Sequence, residues 1–98
     1  MKQEGAGWIL TAANAGLARA QGEAVLLYLD GIGVKPDPVE AGKWAYLFHD
    51  NGSRLVFGFP DIAPALHDRL DAAMTHDQRK EAHARADAWV TTARMVDN

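Results

Sequence analysis

A tryptophan followed eight residues later by a glycine occurs twice in this chain of 98 residues, and this repetition constrains the fold more than any other feature. Trp8 and Trp44 are 36 residues apart, and the same offset separates Gly16 from Gly52. A period of this length is typical of helix-turn-helix repeats. Each glycine also follows a helical pattern, where a left-handed residue can end a helix. The sequence therefore predicts an all-α chain with helix pairs as its repeating unit.

Apolar periodicity and helix-end signals predict five helices, over 4–15, 17–30, 38–51, 62–74 and 76–94. The last two are predicted to form a C-terminal helical hairpin. Between them and the third helix, Leu55, Phe57 and Phe59 follow a period of two, and Gly58 and Pro60 interrupt them. The segment 53–60 is therefore predicted to be non-helical. A chain of this length is predicted to form a single domain, 1–98.

The helix at 38–51 has the best defined start. Asp37 is a suitable N-cap, Pro38 fits the first helical position, and Glu40 would complete a capping box. A second capping box, from Thr75 to Gln78, is predicted to open the last helix. The turn before Asp37 contains two glycines, at 31 and 33, which permit positive φ angles.

Several residues between positions 20 and 52 occur in a characteristic order: Ala20-Gln21, Leu27-Tyr28, Gly31-x-Gly33-Val34, Asp37, Ala41, Trp44 and Gly52. This order resembles the Sel-one-like repeat, a short-loop relative of the tetratricopeptide repeat. By this resemblance, 17–52 is one complete repeat, 1–16 is the second helix of a preceding repeat, and 53–98 is a strap followed by capping helices. The stretch Met74-Thr75-x-Asp77-Gln78 is similar to the ending of some bacterial members.

The resemblance implies an α/α solenoid fragment of tetratricopeptide-like helix pairs with a C-terminal helical hairpin. Proteins of this family hold peptides, helices or whole subunits on stacked helices, and the motif brings no catalytic residue with it. We therefore expect a non-catalytic protein-binding adaptor or accessory subunit that uses no cofactor. Two departures from the family pattern stand out: Gly42 replaces a usual leucine and should weaken its helix, and Phe48 requires a pocket large enough for its ring.

Composition excludes several other classes of function. The net charge is −3, the isoelectric point is near 5.7, and basic residues are mixed with acidic ones, so nucleic acid is not an expected partner. Arg19, Glu23 and Asp30 interrupt the longest apolar region, so no membrane span is expected. The chain has no cysteine, which removes thiolate chemistry and cysteine-based zinc sites. We expect a cytoplasmic protein in preference to a periplasmic one.

The candidate protein-binding residues are large and apolar: Trp8, Leu55, Val56, Phe57 and Phe59. The segment 55–59 has two interpretations, a buried strap across the helices or an exposed patch for another chain. Four aromatic residues on the predicted helices are interpreted as core anchors rather than as a ligand-binding box; they are Trp8, Tyr28, Trp44 and Trp89.

The alternative function is a small metal-binding or ligand-binding regulator that uses His76 and His83, seven residues apart. A metal site needs a further convergent ligand, so no metal residue is assigned. No catalytic triad is evident either.

The chain contains about one and a half repeats, fewer than the roughly three that a stable solenoid needs. The apolar side of the first helix, with Trp8, Ile9, Ala12 and Ala13, should lack its normal cover. We therefore expect a homodimer or a permanent hetero-complex.

Overall fold

The computed structural model, which describes residues 2–96, contains six helices and, within that range, no strand. The helices are α1 (Lys2–Asn14), α2 (Ala18–Asp30), α3 (Pro38–His49), α4 (Gly52–Phe57), α5 (Pro64–Ala73) and α6 (His76–Val96). The prediction of an all-α chain is confirmed for the described residues. All helices except α4 correspond to predicted ones, and each begins and ends within two residues of the predicted bounds. No helix in the described range is both long and apolar enough to cross a membrane.

The turn between α2 and α3 follows the sequence prediction. Gly31 has a φ of +70°, and its N–H donates to the Leu27 carbonyl oxygen, as does the N–H of Ile32 at 2.9 Å. A Cβ at Gly31 would lie 2.5 Å from Cγ of Pro36, so a side chain has no room there. Gly33 also has a positive φ, of +74°. The path of the turn between α2 and α3 therefore depends on these two glycines.

The start of α3 is confirmed in part. The Asp37 carboxylate accepts hydrogen bonds from the N–H groups of Val39 and Glu40, at 3.1 and 3.2 Å. The predicted capping box is wrong, because the Asp37 N–H donates to the Tyr28 carbonyl oxygen of α2. Glu40 instead accepts hydrogen bonds from Lys43 and from Arg85 of α6, at 2.8 and 2.9 Å. The Glu40 carboxylate thus bonds to α6 instead of to the Asp37 N–H.

The helix α4 corrects the prediction that 53–60 is non-helical. Its N-cap is Asn51, whose side-chain oxygen accepts from the N–H groups of Ser53 and Arg54 at 2.8 and 3.4 Å. Gly58, with a φ of +74°, ends the helix. Gly52 is therefore the first residue of α4 and not a left-handed residue that closes α3, as the repeat pattern had indicated. Because no face of α4 is continuously buried, its sequence lacks a helical period.

The helix α3 lies at the centre of the fold, packed against α2 on one side and α6 on the other, while α1 packs against α2. The predicted C-terminal hairpin is not what the packing shows, because α6 lies along α3 rather than along α5. Trp44 is 1% exposed, and its ring meets that of Trp89 edge to face with centroids 6.3 Å apart. Its interpretation as a core anchor is confirmed, and the ring that it meets belongs to α6.

Gly42 explains how closely α6 approaches α3. A Cβ at this position would lie 2.9 Å from Cε of Met74 and 3.0 Å from Cβ of Ala82. Glycine therefore permits packing that a leucine side chain at this position would prevent, which offsets its low helix propensity. The ring of Phe48 has a similar arrangement with α2, because a Cβ at Gly22 would lie 3.3 Å from it. The predicted pocket for Phe48 lies over Gly22.

The start of α6 is the second capping box that the sequence predicts. The Thr75 N–H donates to Oε1 of Gln78 at 2.8 Å, and the Gln78 N–H donates to Oγ1 of Thr75 at 3.1 Å. Both partners are local in sequence, which is why the pattern alone identifies the box.

Candidate functional site

All five candidate protein-binding residues are exposed. The exposed fractions are 77% for Trp8, 64% for Leu55, 82% for Val56, 72% for Phe57 and 41% for Phe59. The interpretation of 55–59 as a buried strap is therefore wrong, and so is the assignment of Trp8 to the core. Trp8 and Trp44 have equivalent places in the repeated pattern but opposite environments.

The rest of α1 is better covered than the sequence indicated. Ala13 is completely buried, and Ile9, Leu10 and Ala12 pack against the core. The expected lack of cover along this face is wrong, because α2 packs against it. Trp8 is the residue of that predicted face that remains outside.

A groove of about 550 Å³ brings three of the candidate residues together. Trp8 comes from α1, Phe57 from the end of α4 and Phe59 from the segment after it, although about 50 residues separate them in sequence. The space between these rings exists because the other lining positions include small residues, namely Ala12, Gly16, Ala18 and Ala20. Leu55 and Val56 are exposed but do not line the groove.

Three side-chain hydrogen bonds connect the start of α4 to α2 and to the end of α1. The Asn51 side-chain amide donates to the Gly16 carbonyl oxygen at 3.0 Å and to Oε1 of Gln21 at 2.9 Å. The Gln21 amide, which is almost fully buried, donates in turn to the Ala13 carbonyl oxygen at 3.3 Å. Asn51 thus caps α4 and also ties it to the turn after α1. The sequence predicted this network for neither residue; the Asn-Gly-Ser stretch was the available signal for a helix start at Asn51.

Arg54 holds the segment that carries Phe59, which lines the groove. It is 8% exposed, and its guanidinium donates to the carbonyl oxygens of Phe48, His49 and Phe59 at 3.0, 2.8 and 3.1 Å. The first two carbonyls belong to the last turn of α3, where a positive charge is favourable. The third precedes Pro60, so one side chain connects the end of α3 to the segment that carries Phe59. Nothing in the sequence distinguishes Arg54 from a surface arginine.

Two charged residues that line the groove have opposite charges and form an ion pair. They are Arg19 and Glu23 of α2, with Nε and Oε1 3.4 Å apart. The Arg19 side chain is 84% exposed and that of Glu23 46%. A second hollow of about 390 Å³ shares these two residues and Phe59 with the groove. Leu26 and Pro60 also line it, so the apolar residues of the two hollows form one strip on the surface. The strip therefore follows the exposed side of α2.

The histidines do not converge on a metal site. His49 Nδ1 lies 2.6 Å from Oδ2 of Asp61, and the His83 ring stacks on Tyr46 with centroids 3.6 Å apart. His76 is exposed at the start of α6. Within the part of the chain that the structure describes, no three histidine or carboxylate side chains are grouped so that they could hold a metal ion.

Two ionisable groups near these histidines have shifted pKa values. Burial raises the pKa of the Tyr46 hydroxyl, and the Asp71 carboxylate raises it further. At Asp61, partial burial alone would raise the pKa, but the hydrogen bonds from His49 and from the Ile62 N–H outweigh it, so the pKa lies below its usual value. The Asp61 carboxylate is thus held ionised at the loop that leads into α5.

The groove and the hydrogen bonds that support its lining form the candidate site. In comparisons with known proteins, the chain matches no family model, no curated protein and no solved structure.

Proposed function

We propose that this chain is a protein-binding adaptor or accessory subunit that binds through the groove between α1, α2 and α4. The observation that carries the proposal is the meeting of Trp8, Phe57 and Phe59 around one hollow, with the rings of Trp8 and Phe57 more than two thirds exposed. A monomeric protein rarely exposes a contiguous apolar patch of this kind without a use for it. Aromatic anchors beside a preformed pocket are the usual energetic centre of a protein interface.

The supports of the groove favour a site that exists before the partner arrives. Asn51 and Arg54 hold two residues of its lining, Gly16 and Phe59, through hydrogen bonds to their carbonyl oxygens. A site fixed in this way loses little conformational entropy on binding. A flexible apolar tail would need none of these bonds.

The resemblance to the Sel-one-like repeat supports the same kind of function. We propose that α2 and α3 correspond to one repeat and that α1 corresponds to the second helix of a preceding repeat. The supporting observations are the Asp37 N-cap, the positive φ angles of Gly31 and Gly33, and the packing of α1 on α2 and of α2 on α3. In such an arrangement the next repeat would begin after α3. The short helix α4 takes its place and contributes one side of the groove.

Site-specific photo-crosslinking in the cell that produces the protein tests the proposal. Phe57 is replaced by the photoreactive analogue benzoylphenylalanine, and Ile32 is replaced in a control chain. Ile32 is 39% exposed in the α2–α3 turn and lines neither hollow. The expected result is a discrete crosslink to a protein chain from position 57 only, abolished by Trp8→Ala. Equal labelling from both positions, or none from position 57, would contradict a protein-binding groove.

A further inference from the structure

We infer that the occupant of the groove is a second copy of this chain, related to the first by a two-fold axis that crosses α2. The inference rests on the proposed function, because it names the partner of the same groove. Area, shape and charge each support it.

The exposed apolar area matches what a stable dimer of small subunits needs. Trp8, Leu17, Phe57 and Phe59 line the groove and are 41% to 77% exposed. At roughly 150–250 Å² for a large aromatic side chain, and less for leucine, they present on the order of 500 Å² of apolar surface. A standard interface buries about 800 Å² per partner, of which somewhat more than half is apolar. One face of this chain therefore supplies the apolar share of one side of such an interface.

The face also carries both a projection and a hollow. Trp8 is 77% exposed and lines the same space as the small residues Ala12, Gly16, Ala18 and Ala20. In a two-fold dimer each contact occurs twice, so the ring of each copy enters the hollow of the other. A face with only a hollow would need a different partner.

The charges of the groove are complementary to themselves. Among the described residues that line it, Arg19 and Glu23 are the charged ones, four positions apart on the exposed side of α2. A two-fold axis between them makes the two α2 helices antiparallel and places Arg19 opposite the partner's Glu23, and Glu23 opposite the partner's Arg19. The net charge of the lining is zero, so a strongly acidic or basic partner would find no counter-charge there.

Sedimentation velocity between about 1 and 100 μM tests whether the dimer forms. The expected species has twice the chain mass of 10.6 kDa. Trp8→Ala should weaken dimerisation about ten-fold or more, whereas Ile32→Ser should change it less than about three-fold. Circular dichroism establishes that both variants keep their helices. A monomer at every concentration, or equal effects of the two substitutions, would overturn the inference.

A charge-exchange experiment tests the two-fold arrangement itself. Arg19→Glu places four carboxylates across the axis and Glu23→Arg places four guanidinium groups there, so each variant alone should dimerise less than the wild type. An equimolar mixture should form mainly mixed dimers, which native mass spectrometry identifies by mass. A mixture with no preference for mixed dimers would refute the arrangement.

The two proposals fail separately. If sedimentation shows a monomer while position 57 still crosslinks to a different protein, the groove binds a protein but the second copy is not its occupant. If neither dimer nor crosslink appears, both proposals are wrong.

Discussion

Arg54, which is only 8% exposed, donates a hydrogen bond from Nη1 to the Phe59 carbonyl oxygen 3.1 Å away. The same guanidinium satisfies two carbonyl oxygens at the end of α3. Because Phe59 lines the groove, a single side chain couples the stability of the α3 terminus to the shape of the candidate site. Hydrogen bonds to a charged donor stabilise more than neutral ones, and a lost donor leaves the carbonyls unsatisfied.

Replacement of Arg54 should therefore reduce stability. Arg54→Met keeps the apolar stem and removes the guanidinium, and we expect the free energy of unfolding in urea to fall by about 3 kcal/mol. Lys80→Met is the matched control, since Lys80 is an exposed basic residue of α6 that does not line the groove, and its loss should change stability by less than about 0.5 kcal/mol. Similar midpoints for the two variants would mean that the Arg54 hydrogen bonds contribute no net stability.

The Asp37 cap gives a second prediction. Asp37→Ala removes the acceptor for the N–H groups of Val39 and Glu40 and should lower the free energy of unfolding by about 0.5–2 kcal/mol. Asp37→Asn keeps an oxygen acceptor and should lie close to the wild type in chemical denaturation. If alanine and asparagine have the same effect, the carboxylate acts through Arg85, 3.9 Å away, rather than as a cap.

Those features of the fold that depend on residues close in sequence could be predicted. The Asp37 cap, the Thr75–Gln78 capping box and the left-handed Gly31 all involve partners within about five positions. The glutamate half of the Asp37 box was wrong because the Asp37 N–H donates to Tyr28 of α2 and Glu40 binds Arg85, 45 positions away.

The candidate site could be predicted only as a set of residue types. The size and apolar character of Trp8, Phe57 and Phe59 singled them out, but their meeting depends on Asn51 bonding to Gly16 and on Arg54 bonding to Phe59. Neither bond leaves a periodic trace in the sequence. The six residues of α4 include Leu55, Val56 and Phe57 in succession, all exposed, so no apolar stripe marked the helix.

The two tryptophans of the repeated pattern should differ sharply in their effect on stability. Trp44→Ala removes a ring that is 1% exposed and packed against Trp89, and should cost about 3–5 kcal/mol. Trp8→Ala removes a ring that is 77% exposed and should change stability by less than about 0.5 kcal/mol in the monomer. Thermal unfolding at low concentration compares the two, and a large loss from Trp8→Ala would place that ring in the core.

The His49–Asp61 pair makes part of the stability dependent on acid pH. Because the pKa of Asp61 is lower in the folded chain, its contribution is present above the unfolded value near 3.9 and is lost as the pH falls through the folded pKa. Asp61→Asn should therefore flatten the fall in stability below about pH 4.5. Ala65→Ser, an exposed change on α5 that removes no ionisable group, is the control and should leave the pH profile parallel to that of the wild type.

A comparison of Val56 with Phe57 distinguishes the effect of lining the groove from the effect of exposure alone. They are neighbours on α4 and are 82% and 72% exposed, yet Phe57 lines the groove and Val56 does not. If exposed apolar area alone governed association, Val56→Ser and Phe57→Ser would weaken it to a similar degree. If the partner occupies the groove, the Phe57 ring becomes buried and its loss should weaken association about ten-fold or more, while Val56→Ser should have less than about a three-fold effect. Sedimentation of both variants measures the difference, with circular dichroism as the control for folding. A larger effect from Val56→Ser would place the binding surface on the outer side of α4.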